Sequence, residues 1–438
     1  MIVCKFGGTS CCSAEQLKKV KDILLSNSER KYAVLSAPGK RFSGDRKVTD
    51  LLYALEQQRD SEEILNQIQE RYQNIVDGLG VSFDLDAEFN EIKDHLSSCT
   101  KSWLASRGEY LNAKIFAAYI GWPFLEAADA IFFDGNHQLM ESLTYRFLKK
   151  AMLSEENCVI PGFYGSDEAG NIEVFPRGGS DITGAVAARA VGATVYENWT
   201  DVDGILTADP RLVPDASPIP VLSYRELREL SYMGASMLQE EAVFPCRSAG
   251  IPINLRNTNH PAVPGTWIVP EKDRSLSLSM TGIAGKKGFS NIQIEKAMMN
   301  TQIGFGAKAL QILADHGVSF EHNPTSIDTM SILVPTADLS GCREALLKDL
   351  EEQLHPDRLF AEDGIALIAV VGEGIVRHIG FAAELFSIIA DAGINVRMID
   401  VGFSEVNLII GVNEADFEKT VRAIHDGLTH SGQESVAK

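Results

Sequence analysis

The run Ile2-Val3-Cys4-Lys5-Phe6-Gly7-Gly8-Thr9-Ser10 opens the chain and decides how the rest of it reads. A β-prone stretch stops at two glycines, so a strand is expected to deliver Lys5 and then turn sharply. Just beyond, Ser13-Ala14-Glu15-Gln16 forms a capping box, and Leu17, Val20 and Leu24 share one face of the helix it starts. Tyr32 to Ala37 supplies the next strand and completes a βαβ unit.

The same alternation continues outward. Leu51 to Val76 and Leu111 to Ile120 read as helices, and Cys158 to Phe163 as a buried strand. Ser223-Tyr224-Arg225-Glu226 is a second capping box before a helix, and Pro252 to Asn257 and Thr266 to Val269 are late strands. An α/β domain over residues 1–275 is expected, with three αβα layers and a mainly parallel central sheet.

Beyond residue 280 the chain repeats itself at an offset of 76 residues. Between Ile303–Phe320 and Ile379–Val396, eight of 18 aligned positions are identical, beginning with Ile-Gly-Phe in both copies. Each copy reads as an α+β module of the βαββαβ, ferredoxin-like kind. The second ends in the helix Ala415 to Leu428 with no fourth strand after it, so Leu278 to Ala284, ahead of the first module, is the expected donor. The modules are therefore predicted to interlock, as 286–362 and as 278–285 plus 363–438.

Composition narrows the function. The 438 residues carry 60 acidic against 40 basic side chains, a net charge of −20, which argues against nucleic acid and against electrostatic membrane attachment. Apolar residues make up 45%, enough for sizeable cores, and no stretch approaches the ~18 consecutive apolar residues of a membrane span. A start on Ile2-Val3-Cys4 rather than a basic segment gives no signal peptide, and the seven cysteines lack zinc spacing. A cytoplasmic protein with reduced cysteines is expected.

Two loops carry chemistry. Lys5-Phe6-Gly7-Gly8-Thr9-Ser10 can cradle a phosphate through glycine amides, a helix N-terminus and Lys5, though a plain glycine turn with a solvated lysine reads equally well. It is neither a Walker A loop nor a GxGxxG loop. Arg177-Gly178-Gly179-Ser180-Asp181, running into the small-residue helix Ala185 to Val191, makes a second anion site, with Asp181 either functional or a helix cap. The expectation that follows is a single groove with Lys5 and Arg177 facing each other. A third element, Trp199-Thr200-Asp201-Val202-Asp203-Gly204 to Asp209-Pro210-Arg211, ends a strand and turns repeatedly.

These segments, together with Ser106-Arg107-Gly108-Glu109, resemble the aspartokinase branch of the amino acid kinase family, and the tandem modules resemble a pair of ACT domains. The resemblance implies an amino acid kinase-like catalytic domain and ATP-dependent phosphorylation of the L-aspartate side chain. It makes Lys5 and Asp181 catalytic, and places Thr49, Glu109, Phe163, Arg177, Gly178, Gly179 and Ser180 at the substrate, with Arg177 on a carboxylate and Glu109 on the ammonium. It places Lys5, Gly7, Gly8, Ser10, Thr200, Asp201, Leu206, Asp209 and Arg211 at the nucleotide, with Mg²⁺ held mainly by ATP phosphates. An end-product effector, lysine before threonine, is expected at Met299, Ile303, Gly304, Phe305 and Glu321, in a homo-oligomer joined through the ACT domains.

Chemistry agrees with that assignment. A side-chain carboxylate with a pKa near ~4 is ionised at neutral pH and needs no general base. The obstacle is bringing an anion to a phosphate, which cations and oriented N–H groups overcome. One departure concerns Gly234-Ala235-Ser236, where the family often has a phosphate-binding lysine in place of Ser236; a cation from Lys40–Lys47 is the expected substitute. Kinases of the same fold acting on N-acetylglutamate, glutamate, carbamate or UMP, and a silent amino-acid sensor, are the competing readings.

Overall fold

The computed structural model describes residues 1–176, 178–234, 238, 240–272, 280–401 and 406–435. Two compact units emerge, Met1–Ile205, Pro218–Tyr224 and Met237–Lys272 in one, and Leu206–Ser217, Arg225–Ser236 and Asp273–Lys438 in the other.

In chain order the first unit contains β1 (Ile2–Phe6), α1 (Ala14–Leu25), β2 (Arg30–Leu35), α2 (Val48–Gln57), α3 (Glu62–Leu79), α4 (Leu85–His95) and α5 (Lys101–Ile120). Then come α6 (Glu141–Leu153), β3 (Cys158–Pro161), β4 (Tyr164–Ser166), β5 (Ile172–Val174), α7 (Gly179–Val191) and β6 (Val195–Thr200). After β7 (Val221–Ser223), helix α8 (Tyr224–Tyr232) runs on into a segment of the second unit, and α9 (Glu240–Ala249), β8 (Ile253–Asn257) and β9 (Thr266–Val269) finish the first.

The sheet order is β3-β2-β1-β6-β8-β9-β7, parallel throughout except for the β8–β9 pair. Successive strand residues face opposite sides, so Cys4, Phe6, Ala33, Leu35 and Trp199 join one core with α1 to α5. Lys5 and Asn198 face the other side, where α7 lies. That helix packs hard against β6, since a Cβ on Gly184 would lie 2.5 Å from the Tyr196 hydroxyl. Neighbouring α9 and α6 tie to it through Cys246 Sγ to the Ala185 carbonyl (3.8 Å) and Arg189 to Glu141 (3.4 Å). The expected three-layer αβα arrangement is what forms.

Several element boundaries move. The helix expected over Leu51–Val76 is two, α2 and α3, because Ser61 accepts the Ile64 N–H and caps a new start. Helix α5 begins ten residues before Leu111, capped by Thr100, and so carries Ser106 to Glu109 on a helix. The strand expected to reach Phe163 stops at Pro161, since Phe163 has φ +80° and leaves the ladder. Helices α4 and α6 were not anticipated. Ser13 does accept the Gln16 N–H, as the capping box predicts.

The second unit contains β10 (Gly282–Glu295), α10 (Phe305–Asp315), β11 (Thr329–Pro335), α11 (Arg343–Leu354), β12 (Arg358–Val371), α12 (Phe381–Asp391), β13 (Met398–Asp400), β14 (Asn407–Asn413) and α13 (Phe417–Ser435). They share one antiparallel sheet, β11-β10-β12-β14-β13. Strands β10 and β12 are long and serve both modules, pairing Gly282 with Val371 and Lys286 with Leu367, then, past a register shift, Asn291 with Glu362 and Glu295 with Arg358. Gly282–Lys286 thus gives the second module its missing strand, as the repeat implied; Leu278 and Ser279 of the expected donor lie outside the described residues. Two cores form, one under α10 and α11, the other under α12 and α13.

The segment Leu206–Ser217 is built into the second of those cores through Ala208 and Val213. Thr207 Oγ1 lies 3.1 Å from His425 Nε2, and the Ile283 N–H donates to the Thr207 carbonyl at 2.7 Å. Among the described residues no helix is long and apolar enough to cross a membrane.

Candidate active site

Lys5 is a lysine inside a sheet, 6% exposed, and its burial requires a partner. That partner is Asp181 in the first turn of α7, with Nζ 2.5 Å from Oδ1. Asn198, cross-strand neighbour of Lys5 on β6, donates its amide to the same oxygen at 2.8 Å. The Tyr196 hydroxyl donates to the Asp181 carbonyl at 3.1 Å, so helix and strand are joined at this point. Sequence reading missed Asn198; its signal was a polar residue in a strand, in register with Lys5.

The glycine turn sits beside the lysine. A Cβ on Gly7 would lie 3.5 Å from Lys5 Nζ, but the Gly7 N–H donates to the Trp199 carbonyl at 2.9 Å and continues the sheet. Ser10 Oγ is 2.7 Å from Thr258 Oγ1, so its hydroxyl braces the fold. The Gly8 carbonyl accepts the Gly39 N–H at 2.8 Å, and a Cβ on Gly39 would lie 2.5 Å from the Gly8 carbonyl carbon. This close approach requires glycine.

From Gly39 the contacts lead to a buried carboxylate. Ala37 packs against Gly108, where a Cβ would meet the Ala37 Cβ at 2.9 Å, and the next residue on α5 is Glu109. Glu109 is 5% exposed, its Oε2 has no hydrogen-bond partner, and burial pushes its pKa up to about 8 despite help from the Ala37 amide. Val48 reaches the same place, a Cβ on Gly108 lying 3.6 Å from its Cγ1, and Thr49, half-buried, is the next residue on α2. An unpartnered buried acid of this kind suits a ligand cation.

The start of α7 gathers the other candidates. Phe163 donates its N–H to Thr183 Oγ1 at 3.0 Å, and a Cβ on Gly179 would lie 2.6 Å from the Phe163 ring. Gly162 packs on Ser180, and Gly178 precedes the helix as its N-cap. Phe163, Gly178, Gly179, Ser180, Asp181 and Lys5 are therefore together. Arg177 lies outside the described residues, as does Ser236, so the expected pairing of Lys5 with Arg177 falls there too.

The nucleotide candidates divide. Thr200 Oγ1 donates to Asp201 Oδ1 at 3.1 Å where β6 ends, and Asn257 of β8 braces that turn through the Asp201 carbonyl and Asp203. Leu206, Asp209 and Arg211 belong to the second unit, where Arg211 pairs bidentately with Asp209 and holds its carboxyl below the usual range. Of the basic segment, Arg41 is bound to Asp45 at 2.9 Å, while Lys40, Arg46 and Lys47 are exposed. Of the effector candidates, Met299 and Phe305 are buried, Gly304 is the N-cap of α10, Ile303 is fully exposed and Glu321 accepts from the Tyr232 hydroxyl.

The whole chain is similar to known proteins. Residues 1–257 match the amino acid kinase family and residues 368–428 an ACT domain. Aspartokinase 3 of Bacillus subtilis (strain 168) is 37% identical, over 97% of this chain and 98% of that protein. The crystal structure of Clostridium acetobutylicum aspartate kinase is 42% identical, with a TM-score of 0.89 and 98% of this chain and 99% of that one covered. E. coli aspartokinase III in complex with lysine and aspartate is 25% identical, with a TM-score of 0.72 and coverage of 98% and 99%.

Proposed function

The chain belongs to the aspartokinases of the amino acid kinase family, and on that premise we propose that it transfers the γ-phosphoryl group of ATP to the side-chain carboxylate of L-aspartate at the Lys5–Asp181 centre. The observation that carries the reading is the buried Lys5–Asp181–Asn198 contact beside a glycine turn. A silent sensor has no need of a buried lysine held on an acid.

An oxygen of the substrate carboxylate bonds to the γ-phosphorus while the bond to the β,γ-bridging oxygen breaks. ADP leaves with that electron pair, and 4-phospho-L-aspartate forms without net proton transfer. Lys5 lies where the charge on the transferring group develops, and Asp181 with Asn198 fixes its direction. Glu109 takes the substrate ammonium, which supplies the partner its Oε2 lacks. Phe163, Ser180 and the glycines Gly178 and Gly179 shape the pocket, with Thr49 at its border and Arg177 assigned to a carboxylate.

Gly7, Gly8, Ser10, Thr200 and Asp201, with Leu206, Asp209 and Arg211, are assigned to the nucleotide. Mg²⁺ is assigned to the phosphate oxygens of ATP, with Asp181, already beside Lys5 and Asn198, as the nearest carboxylate. Bound there, Mg²⁺ would neutralise phosphate charge.

The ACT pair is assigned the effector, lysine ahead of threonine, at Met299, Ile303, Gly304, Phe305 and Glu321. The acidic Glu321 supports a cationic ligand, and the fully exposed Ile303 supports a second copy of the chain covering it. A cytoplasmic location accords with the reading. The test is ADP release with L-aspartate, hydroxylamine capture of the acyl phosphate, and the same assay with lysine or threonine added. No hydroxamate from the intact protein ends the proposal.

A further inference from the structure

Arg71 lies on α3, outside every group of residues assigned above, yet it is 5% exposed and holds three separate stretches of chain. Its Nη2 donates to the carbonyls of Gly39 (2.5 Å) and Cys12 (3.3 Å), and its Nη1 to Asp45 Oδ2 (2.7 Å). Cys12 follows the glycine turn Gly7–Ser10. Gly39 is the residue pressed against Gly8, and its N–H is on the Gly8 carbonyl. Gly39 is thus fixed on both sides, by Gly8 through its N–H and by Arg71 through its C=O.

Asp45 belongs to the basic segment that follows. That segment has little apolar anchorage: Phe42 is exposed, and a cavity of about 300 Å³ lined by Arg41, Asp45, Arg46, Glu70 and Arg71 separates it from α3. Its tie to α3 is ionic, the Asp45–Arg71 pair (2.7 Å), while within the segment Arg41 grips Asp45 through both Nε (2.9 Å) and Nη2 (3.0 Å). A lone buried guanidinium placed for core packing would be matched by one carboxylate. Here it is given two loop carbonyls as well, both belonging to the walls of the phosphate turn.

We propose that Arg71 is a positioning residue: it sets Gly39 against Gly8 and thereby fixes the turn that receives the nucleotide phosphates, without itself touching substrate. The inference rests on the reading that those phosphates lie along Gly7–Ser10. It predicts an effect on nucleotide binding and not on the transfer step, because Lys5 and Asp181 are held by each other and by Asn198.

The test uses the full chain and steady-state kinetics of four variants, with melting temperatures. Arg71→Leu is expected to raise KM for ATP by about tenfold or more, with kcat and KM for aspartate within about twofold. Arg71→Lys keeps the charge but cannot span three acceptors, so it is expected to resemble Arg71→Leu. Gly39→Ala, which forces the turn apart without touching Arg71, is expected to raise KM for ATP alone and decides the matter if Arg71→Leu does not fold. Unchanged KM for ATP in folded variants, a wild-type Arg71→Lys, or a parallel loss of kcat and both KM values overturns the inference. Lys5→Ala separates the two layers. If it stays active the site reading fails, whereas if it is inactive and KM for ATP is unmoved in the others, only the role of Arg71 fails.

Discussion

Lys5 and Asn198 stand side by side on adjacent parallel strands, and both end on Oδ1 of Asp181. One brings a full charge and the other a neutral donor. When Lys5 follows the phosphoryl group, the amide alone keeps the carboxylate oriented. Asn198→Leu is therefore expected to lower kcat by about tenfold with both KM values within about threefold, measured by coupled ADP release. Equal loss in KM and melting temperature would mean the residue merely packs.

On the proposed site assignment, replacing Lys5 removes the cation nearest the transferring group. Lys5→Met, which keeps the stem and drops the charge, is expected to reduce kcat by about a thousandfold or more. Retained hydroxamate formation would move the reaction elsewhere.

Glu109 gives the enzyme a pH dependence. Its folded pKa of about 8 stands above the unfolded value, so the protonated form favours the folded chain. That contribution is complete below the ordinary carboxylate range and is lost as pH rises through about 8. Aspartate's ammonium draws the proton off, so KM for aspartate is expected to fall as pH rises from about 6 to about 8, by at most about tenfold per unit, and then level. Glu109→Gln should bind aspartate weakly with no such slope and without the proton release that calorimetry in two buffers would register for the parent chain.

The contact of α7 with β6 tolerates nothing larger than glycine at 184. Gly184→Ala places a methyl 2.5 Å from a buried hydroxyl that also donates to the Asp181 backbone. A loss of about 1–3 kcal/mol in denaturant unfolding is expected, together with reduced kcat as Asp181 shifts. An unaltered unfolding midpoint would contradict the packing described.

Ile303 and Ile379 occupy equivalent positions in the two modules, each fully exposed ahead of a buried phenylalanine. Ile303→Asp is expected to halve the mass seen by sedimentation and to abolish the response to the effector. A variant that keeps both would leave the isoleucines without a partner.

What the sequence made legible follows physical scale. The strand to Phe6 and its glycine turn were readable because alternation and glycine are local, whereas Asn198 beside Lys5 was not, because that pairing is set by the register of the folded sheet. That Asp181 completes the pair came from the family resemblance and from no local pattern, since 175 residues of intervening chain close that contact. The break between α2 and α3 hid in Gln58-Arg59-Asp60-Ser61, polar residues that a solvated helix face also uses. Glu109 was placed at the substrate by resemblance, ahead of a helix expected from Leu111, whereas α5 begins at Lys101 and is buried on most sides, which only its packing against Ala37 reveals. The membership of Leu206–Ser217 in the second unit depends on Ala208 and Val213 finding a core more than 150 residues further on, around Phe417 and Val421.

The long strand Gly282–Glu295 ties the two copies of the duplicated module together. Because Gly282–Lys286 pairs with Leu367–Val371 while Asn291–Glu295 pairs with Arg358–Glu362, a cut between the repeats would take a strand away from the second copy.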